Sequence, residues 1–300
     1  MNIRTAIYEK GKTMLELTDM QVIRALSKRY DFSFSKGLGQ NFLIDPEVCP
    51  AIAEYGIPSR ECGVLEIGTG FGVLTQQLAL RSEQVTAVEL DRRLKPVLAE
   101  TLAGFDNISI VWQDIMKVSL RDFLEEHFGS REVAVCANLP YYITSPILMH
   151  LLESDVQLRS ITVMVQKEAA DRLCAEIGSR DAGAVTAAVR LRGHAEQLFE
   201  VPRTSFYPSP KVDSAVIRIT PYETPLCTPE KLSRVLRIVK AGFAQRRKTA
   251  VNALASGLAL PKEQVTEALA AVGQPANVRF EQLDAETLLA LADAMQQGMA

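Results

Sequence analysis

Gly63-Val64-Leu65-Glu66-Ile67-Gly68-Thr69-Gly70-Phe71-Gly72 decides the fold, because a short, largely apolar run ends in three glycines spaced G-x-G-x-G. A run of five residues suits a strand, and a glycine turn behind it lets a ligand approach the backbone at the carboxyl edge of a sheet. Alone, the turn is ambiguous. Nicotinamide-binding chains use G-x-G-x-x-G, whose glycines admit a pyrophosphate. The rest of the chain supplies the context. Strands are predicted at 63–67, 84–90, 108–112, 133–137 and 161–166, with helices between them near 73–80, 94–102, 120–128 and 146–152. This alternation is the pattern of a doubly wound, Rossmann-like parallel sheet in an α/β protein.

Working outward, Thr18-Asp19-Met20-Gln21 reads as a capping box opening a helix that carries Val22, Leu26 and Tyr30 toward a core. A polar, glycine-containing loop follows, Lys36-Gly37-Leu38-Gly39-Gln40-Asn41-Phe42-Leu43. Ser145 and Pro146 read as N-cap and first turn of the helix at 146–152. Beyond the parallel strands, the runs 194–201 and 214–219 flank the loop 202–213, which suits an antiparallel pair at the sheet edge. Three prolines in the nine residues 221–229 then read as a linker, and the pattern beyond is helical at 231–243, 248–256, 262–272 and 285–295. The expected organisation is an N-terminal extension over 1–30, a sheet domain over 31–221 and a small all-helical domain over 222–300.

The chain has 300 residues, 47% of them apolar and 23% charged, enough to bury a sizeable core. No apolar signal region opens the chain and no window approaches 18 uncharged apolar residues, so a cytoplasmic protein without membrane partners is expected. Its five cysteines lie far apart without a C-x-x-C pair, and the three histidines are scattered, which argues against a disulfide frame, a metal site or histidine catalysis. The net charge of −3 hides an asymmetry. Residues 202–250 hold ten bases against three acids, a net of +7, and leave −10 for the remainder. Such a segment suits a face presented to a polyanion, with a solvated helix face as the alternative.

The chemistry concentrates at predicted strand ends. After the fourth strand stands Asn138-Leu139-Pro140-Tyr141, which offers an amide, a carbonyl and an aromatic ring. An exocyclic base amine is a poor nucleophile that must be oriented, and the Asn138 side chain and the Leu139 carbonyl can each accept one of its N–H bonds. Pro140 stiffens the turn while Tyr141 gives a face for an extruded base. Glu89 ends the second strand, 21 residues after Gly68, where a carboxylate can accept from ribose hydroxyls. Asp114 follows the third strand, placed to accept from an adenine amine. For either acid the alternative is a helix N-cap. Phe206, read as core by itself, stands in the loop Ser205-Phe206-Tyr207-Pro208, where a large ring is less expected.

The series 66–72, Glu89, Asp114 and Asn138–Tyr141 resembles the S-adenosylmethionine-dependent adenine-amino methyltransferases. Lys36–Leu43 upstream and Phe206-Tyr207-Pro208-Ser209-Pro210-Lys211-Val212-Asp213-Ser214 downstream narrow the resemblance to the rRNA adenine dimethyltransferases. Residues 142–148 and Phe243-Ala244-Gln245-Arg246-Arg247-Lys248 resemble the small-subunit branch more than the large-subunit resistance branch. The resemblance spans roughly residues 30–285 and implies S-adenosylmethionine as cofactor, held by Gln40, Asn41, Leu43, Glu66, Gly68, Gly70, Glu89, Asp114, Ile115 and Asn138. It further implies a target adenine held by Asn138, Leu139, Pro140, Tyr141 and Phe206, and rRNA phosphates bound by Lys211, Lys240, Arg246, Arg247 and Lys248. The implied substrate is a pair of adjacent adenines near the 3′ end of small-subunit rRNA, in an immature small subunit. Monomer is the default.

Two departures stand out. Thr69 occupies a position where the family often has proline, and Ala182-Gly183 replaces a usual tyrosine-glycine segment. Three other readings remain: a ribosome-assembly binding factor, supported by the basic segment; a nicotinamide-dependent oxidoreductase; and a large-subunit methyltransferase. The glycine spacing and the absence of an obvious hydride-transfer acid count against the oxidoreductase.

Overall fold

The computed structural model describes residues 5–8, 12–33, 41–179 and 181–296. They form two compact units, the first from Met1–Ile147, Val156–Ala170 and Gln197–Ile219, the second from Leu148–Asp155, Asp171–Glu196 and Thr220–Ala300. A single boundary near residue 222 is therefore too simple. Of the four crossings before the last one at 219/220, two fall inside helices, at 147/148 and 170/171, and one inside a strand, at 196/197, where sequence composition gives no sign of them.

In chain order the elements begin with β1 (Thr5–Tyr8), β2 (Lys12–Leu15), α1 (Met20–Arg29), β3 (Phe42–Leu43) and α2 (Val48–Gly56). The alternating series follows: β4 (Gly63–Ile67), α3 (Val73–Arg81), β5 (Val85–Glu89), α4 (Lys95–Thr101), β6 (Ile108–Trp112), α5 (Leu120–Phe128), β7 (Val133–Asn138), α6 (Thr144–Glu153) and β8 (Ser160–Gln166). Next come α7 (Lys167–Cys174), α8 (Ala184–Arg192), β9 (Gly193–Val201), β10 (Phe206–Tyr207) and β11 (Ser214–Pro221). The last helices are α9 (Pro229–Phe243), α10 (Ala250–Leu258), α11 (Lys262–Ala271) and α12 (Ala285–Ala294).

The main sheet has the order β6-β5-β4-β7-β8-β11-β9. Its first five strands are parallel, and β11 runs antiparallel to β8, with Ser214 opposite Gln166 and Ile219 opposite Ile161. All of β4 and β5 is buried, as expected of parallel strands covered on both faces. Strand order reverses between β4 and β7. Their carboxyl ends, at Gly68 and Asn138, therefore flank the switch point where α/β sheets bind ligands.

The expected sheet is present, with differences at its margins. The cap of α1 is Asp19, whose carboxylate accepts from Gln21 N at 2.7 Å, so the cap lies one residue after Thr18. The helix α6 starts at Thr144, straight out of a 3-10 turn over Tyr141–Ile143, which places Ser145 inside the helix instead of at its cap. The sequence reading missed α2, α7, α8 and the small pair β3–β10. Nor is the segment before residue 31 an appendage. Leu17, Val22, Ile23 and Leu26 are buried in one cluster with Phe42, Phe71, Val97 and Leu98, and Arg29 and Tyr30 both bond the Glu100 carboxylate on α4.

In the second unit, α9 packs on α10, α12 and α8. Thr228 caps α9, with its hydroxyl accepting from Lys231 N, and Pro229 fills the first turn, where no N–H is needed. Its buried Leu232, Val235, Leu236 and Val239 alternate with exposed bases at helical spacing.

Candidate active site

The turn after β4 needs its glycines. Gly68, Gly70 and Gly72 have φ of +78°, +54° and +90°, a region that side chains rarely adopt. A Cβ on Gly68 would meet nothing within 4 Å and one on Gly70 only Phe42 at 3.8 Å, whereas one on Gly72 would lie 2.9 Å from Leu102. The first two glycines thus face open space and the third permits close packing.

That open space is a cavity in the first unit, lined by residues from each of the strand-end motifs and from the segments around Leu43 and Phe206. The turn contributes Gly68 and Gly70, and the ends of β5 and β6 contribute Glu89, Asp114 and Ile115. Asn138, Leu139, Pro140 and Tyr141 line it after β7, and Asn41, Leu43 and Phe206 complete it. The last three meet because β3 pairs with β10, Leu43 opposite Phe206, while Ser205 Oγ donates to Asp45 Oδ2 at 2.9 Å. Gln40 lies outside the described residues.

Two expected residues are placed differently. Glu66 does not line the cavity. It is fully buried on β4, and neither carboxylate oxygen has a hydrogen-bond partner among the described residues. Alternation along the strand turns it with Val64 away from the face of Leu65 and Ile67. Burial pushes its carboxyl up to about 8, opposed by the Thr75 hydroxyl and aided by the charge of Glu89. Phe206, expected as an open stacking face, is only 3% exposed and packs with Leu43, Cys49 and Ile52. It is a wall, because the β3–β10 pairing turns it inward.

The polar groups are held firmly. Glu89 Oε2 accepts from Thr69 N at 2.8 Å and Thr69 Oγ1 at 2.9 Å, and Oε1 accepts from Asp91 N at 2.7 Å. Asp91 is in turn gripped by the Arg93 guanidinium at 2.8 and 2.6 Å. Asp114 combines both readings of it: Oδ1 caps the following turn by accepting from Met116 N at 3.0 Å, while Oδ2 has no partner among the described residues. The Asn138 side chain, half-buried at the end of β7, likewise has none. In the next turn the Pro140 carbonyl accepts from Ile143 N and Thr144 Oγ1, both at 3.1 Å, and neither bond uses the Leu139 carbonyl. Tyr141 shares a 2.6 Å hydrogen bond with Ser214 Oγ, which fixes its ring; burial raises its phenol and this bond pulls it back. Ser214 and Thr69 are site residues whose contacts the sequence did not disclose, since each acts through a partner on another strand.

Of the predicted phosphate ligands, Lys211 is exposed in the loop before β11, and Arg247 and Lys248 are exposed between α9 and α10. None of the three has an acid partner among the described residues. Lys240 instead pairs with Glu153 at 2.5 Å and Arg246 with Glu281 at 3.3 Å.

A parallel sheet with this switch point, an open G-x-G-x-G cradle, an acid at each of the next two strand ends and a free amide before Pro-Tyr defines a Rossmann-like, S-adenosylmethionine-dependent methyltransferase. The residues fit that cofactor: bare backbone at Gly68 and Gly70, an acceptor at Glu89 and an unused oxygen on Asp114. The chain belongs to the ribosomal RNA adenine dimethylase family, whose pattern matches residues 31–297. It is 42% identical over 280 residues to the ribosomal RNA small subunit methyltransferase A of Bacillus pumilus, covering 92% of this chain and 96% of that one. Against the protein of the same name from Geobacillus thermodenitrificans it is 45% identical over 271 residues, covering 89% and 92%. Among solved structures it resembles the 23S rRNA methyltransferase ErmE, with TM-score 0.62, 30% identity and 86% and 100% of the two chains covered. A dimethyladenosine transferase from Plasmodium falciparum shares the fold, with TM-score 0.69, 24% identity and 85% and 98% covered. The chain is an S-adenosylmethionine-dependent rRNA adenine dimethyltransferase.

Proposed function

We propose that this chain methylates the exocyclic amines of two adjacent adenines near the 3′ end of small-subunit rRNA, twice each, acting as a cytoplasmic monomer on an immature small subunit. The observation that carries the chemistry is the free Asn138 amide beside Tyr141 at the switch point of the sheet. The small-subunit choice is supported by the names of relatives at 42–45% identity over about nine-tenths of the chain.

Bound S-adenosylmethionine supplies an electrophilic methyl group, so the protein's task is alignment more than acid-base chemistry. Asn41 and Leu43 border the cofactor's side of the cavity, with Gly68 and Gly70 beneath, Glu89 accepting from the ribose and the free oxygen of Asp114 from its adenine amine. Asn138 Oδ1 and the Leu139 carbonyl accept the two N–H bonds of the target amine and hold its nitrogen lone pair in line with the methyl group. After the first transfer one N–H remains, and either acceptor can still orient it. Tyr141 stacks on the extruded base, its ring held by Ser214, while Phe206 and Ile115 supply apolar wall. Lys211, Arg247 and Lys248 contact phosphates, with Lys240 and Arg246 available only where RNA displaces Glu153 and Glu281.

The deciding experiment is transfer of labelled methyl groups to purified small and large ribosomal particles lacking the modification. Label is expected as dimethyladenine in small-subunit rRNA. Asn138→Ala should lower kcat by roughly two to three orders of magnitude, the scale for losing an aimed polar group, while S-adenosylhomocysteine still binds. Binding to the small particle without label would favour the assembly-factor reading, and label on the large particle alone the sister branch.

A further inference from the structure

The helix α1 ends just before the family match begins at residue 31. Its sequence, MQVIRALSKR, contains three bases and no acid. Val22, Ile23 and Leu26 face the core, and Arg29 is neutralised by Glu100. Arg24 and Lys28, one turn apart, share the exposed face and have no acid partner among the described residues. The Arg24 guanidinium instead lies over the ring of Tyr207, 5.9 Å from its centroid. Tyr207 is 38% exposed and follows Phe206, which walls the cavity. Tyr142, 57% exposed, is itself a cavity-lining residue, so exposed aromatic surface occurs both in the cavity's lining and at the residue that follows its Phe206 wall.

We propose that this face is a second rRNA-contacting surface, in which Arg24 and Lys28 bind phosphates of the strand flanking the target and the Arg24–Tyr207 layer, with Tyr142, stacks an unpaired neighbouring base. Single-stranded RNA is held by this combination of cationic and flat aromatic groups. An enzyme acting on two adjacent adenines must hold one outside the pocket while the other is inside. The proposal rests on the rRNA substrate reading; Tyr207 adjoins Phe206 of the cavity wall, and the two cations, Arg24 and Lys28, lie outside the basic segment at 202–250.

The test compares Arg24→Gln, Lys28→Glu and the double variant with the wild type and with Lys95→Glu, an exposed charge reversal on α4. KM for the small particle, kcat, S-adenosylhomocysteine affinity and the salt dependence of particle binding are measured for each. The expected result is a KM raised roughly tenfold in the double variant with kcat and S-adenosylhomocysteine affinity unchanged, and a salt slope shallower by about one per lost phosphate contact. Lys95→Glu should match the wild type. KM and salt slope equal to those of Lys95→Glu would overturn the proposal, as would an equal loss of S-adenosylhomocysteine affinity, which would make α1 a mere support for Phe42 and Phe71. If the double variant melts early, the two exposed single substitutions decide by the same criteria. Wild-type label on the large particle would sink the small-subunit reading alone, and the variants would then be compared on that particle.

Discussion

At the scale of single residues, Glu89 shows how a predicted contact is constrained by its neighbours. A carboxylate has about four acceptor sites, and Thr69 N, Thr69 Oγ1 and Asp91 N fill three of them. In the ribose contact proposed above a diol asks for two, so there the Thr69 hydroxyl would compete with the cofactor for Oε2. Thr69→Val keeps the backbone donor and removes the competitor. It should tighten S-adenosylhomocysteine binding by roughly two- to tenfold, the worth of one net hydrogen bond, as measured by calorimetry, and the gain should vanish in a Glu89→Gln background. Weaker binding would instead make the hydroxyl a support for the carboxylate. Glu66 gives a pH-dependent prediction. Its folded pKa is raised to about 8, so between about pH 4.5 and 8 the folded chain keeps a proton that the unfolded chain releases, and stability falls as pH rises through that window. Glu66→Gln should flatten the fall, giving a Tm above wild type at pH 8 and a difference that shrinks toward pH 5 in thermal melts.

At the scale of elements, close approach between helices is set by glycines that the sequence marks only as weak helix formers. A Cβ at Gly242 on α9 would lie 2.2–2.4 Å from the Phe280 ring, and one at Gly257 on α10 would lie 2.7 Å from the Ala241 Cβ. Neither contact can be relieved at a flexible tip, because one is with a buried aromatic ring and the other with an alanine Cβ that is fixed to the backbone of α9, whose Cα lies 3.0 Å away. Gly242→Ala should therefore destabilise the second unit by about 1–3 kcal/mol, the usual scale of overpacking, despite alanine's better helix propensity. Urea unfolding followed by circular dichroism checks this. The sheet elements were legible because β4, β5 and β7 are largely apolar runs of strand length, each followed by a polar or glycine-rich turn. In contrast α7 and α8 were not, since Lys167–Cys174 and Ala184–Arg192 are short and mix charge with alanine.

At the scale of the molecule, ion pairing thins the basic segment seen in the sequence. Lys231, Lys240 and Arg246 each meet an acid, Asp293, Glu153 and Glu281 respectively. Arg247 and Lys248 keep their charge available. Replacing both by alanine should weaken particle binding by roughly tenfold or more at moderate salt and lower the salt slope by about two, whereas Lys240→Ala should change it much less. Filter binding across a salt series distinguishes these outcomes.

The sequence alone determined the parallel sheet, its glycine cradle and the ordered series Glu89, Asp114 and Asn138–Tyr141, because backbone periodicity and strand-end chemistry are local properties. It also carried the family. Only the tertiary structure decided that Glu66 is buried without lining the cavity, that Phe206 is wall, that Ser214 and Thr69 hydrogen-bond Tyr141 and Glu89, and which cations have no acid partner among the described residues. Those outcomes depend on which face of a strand meets which neighbour and on acids 35 to 87 residues away in the chain, and burial and pairing of that kind exist only once the elements have packed.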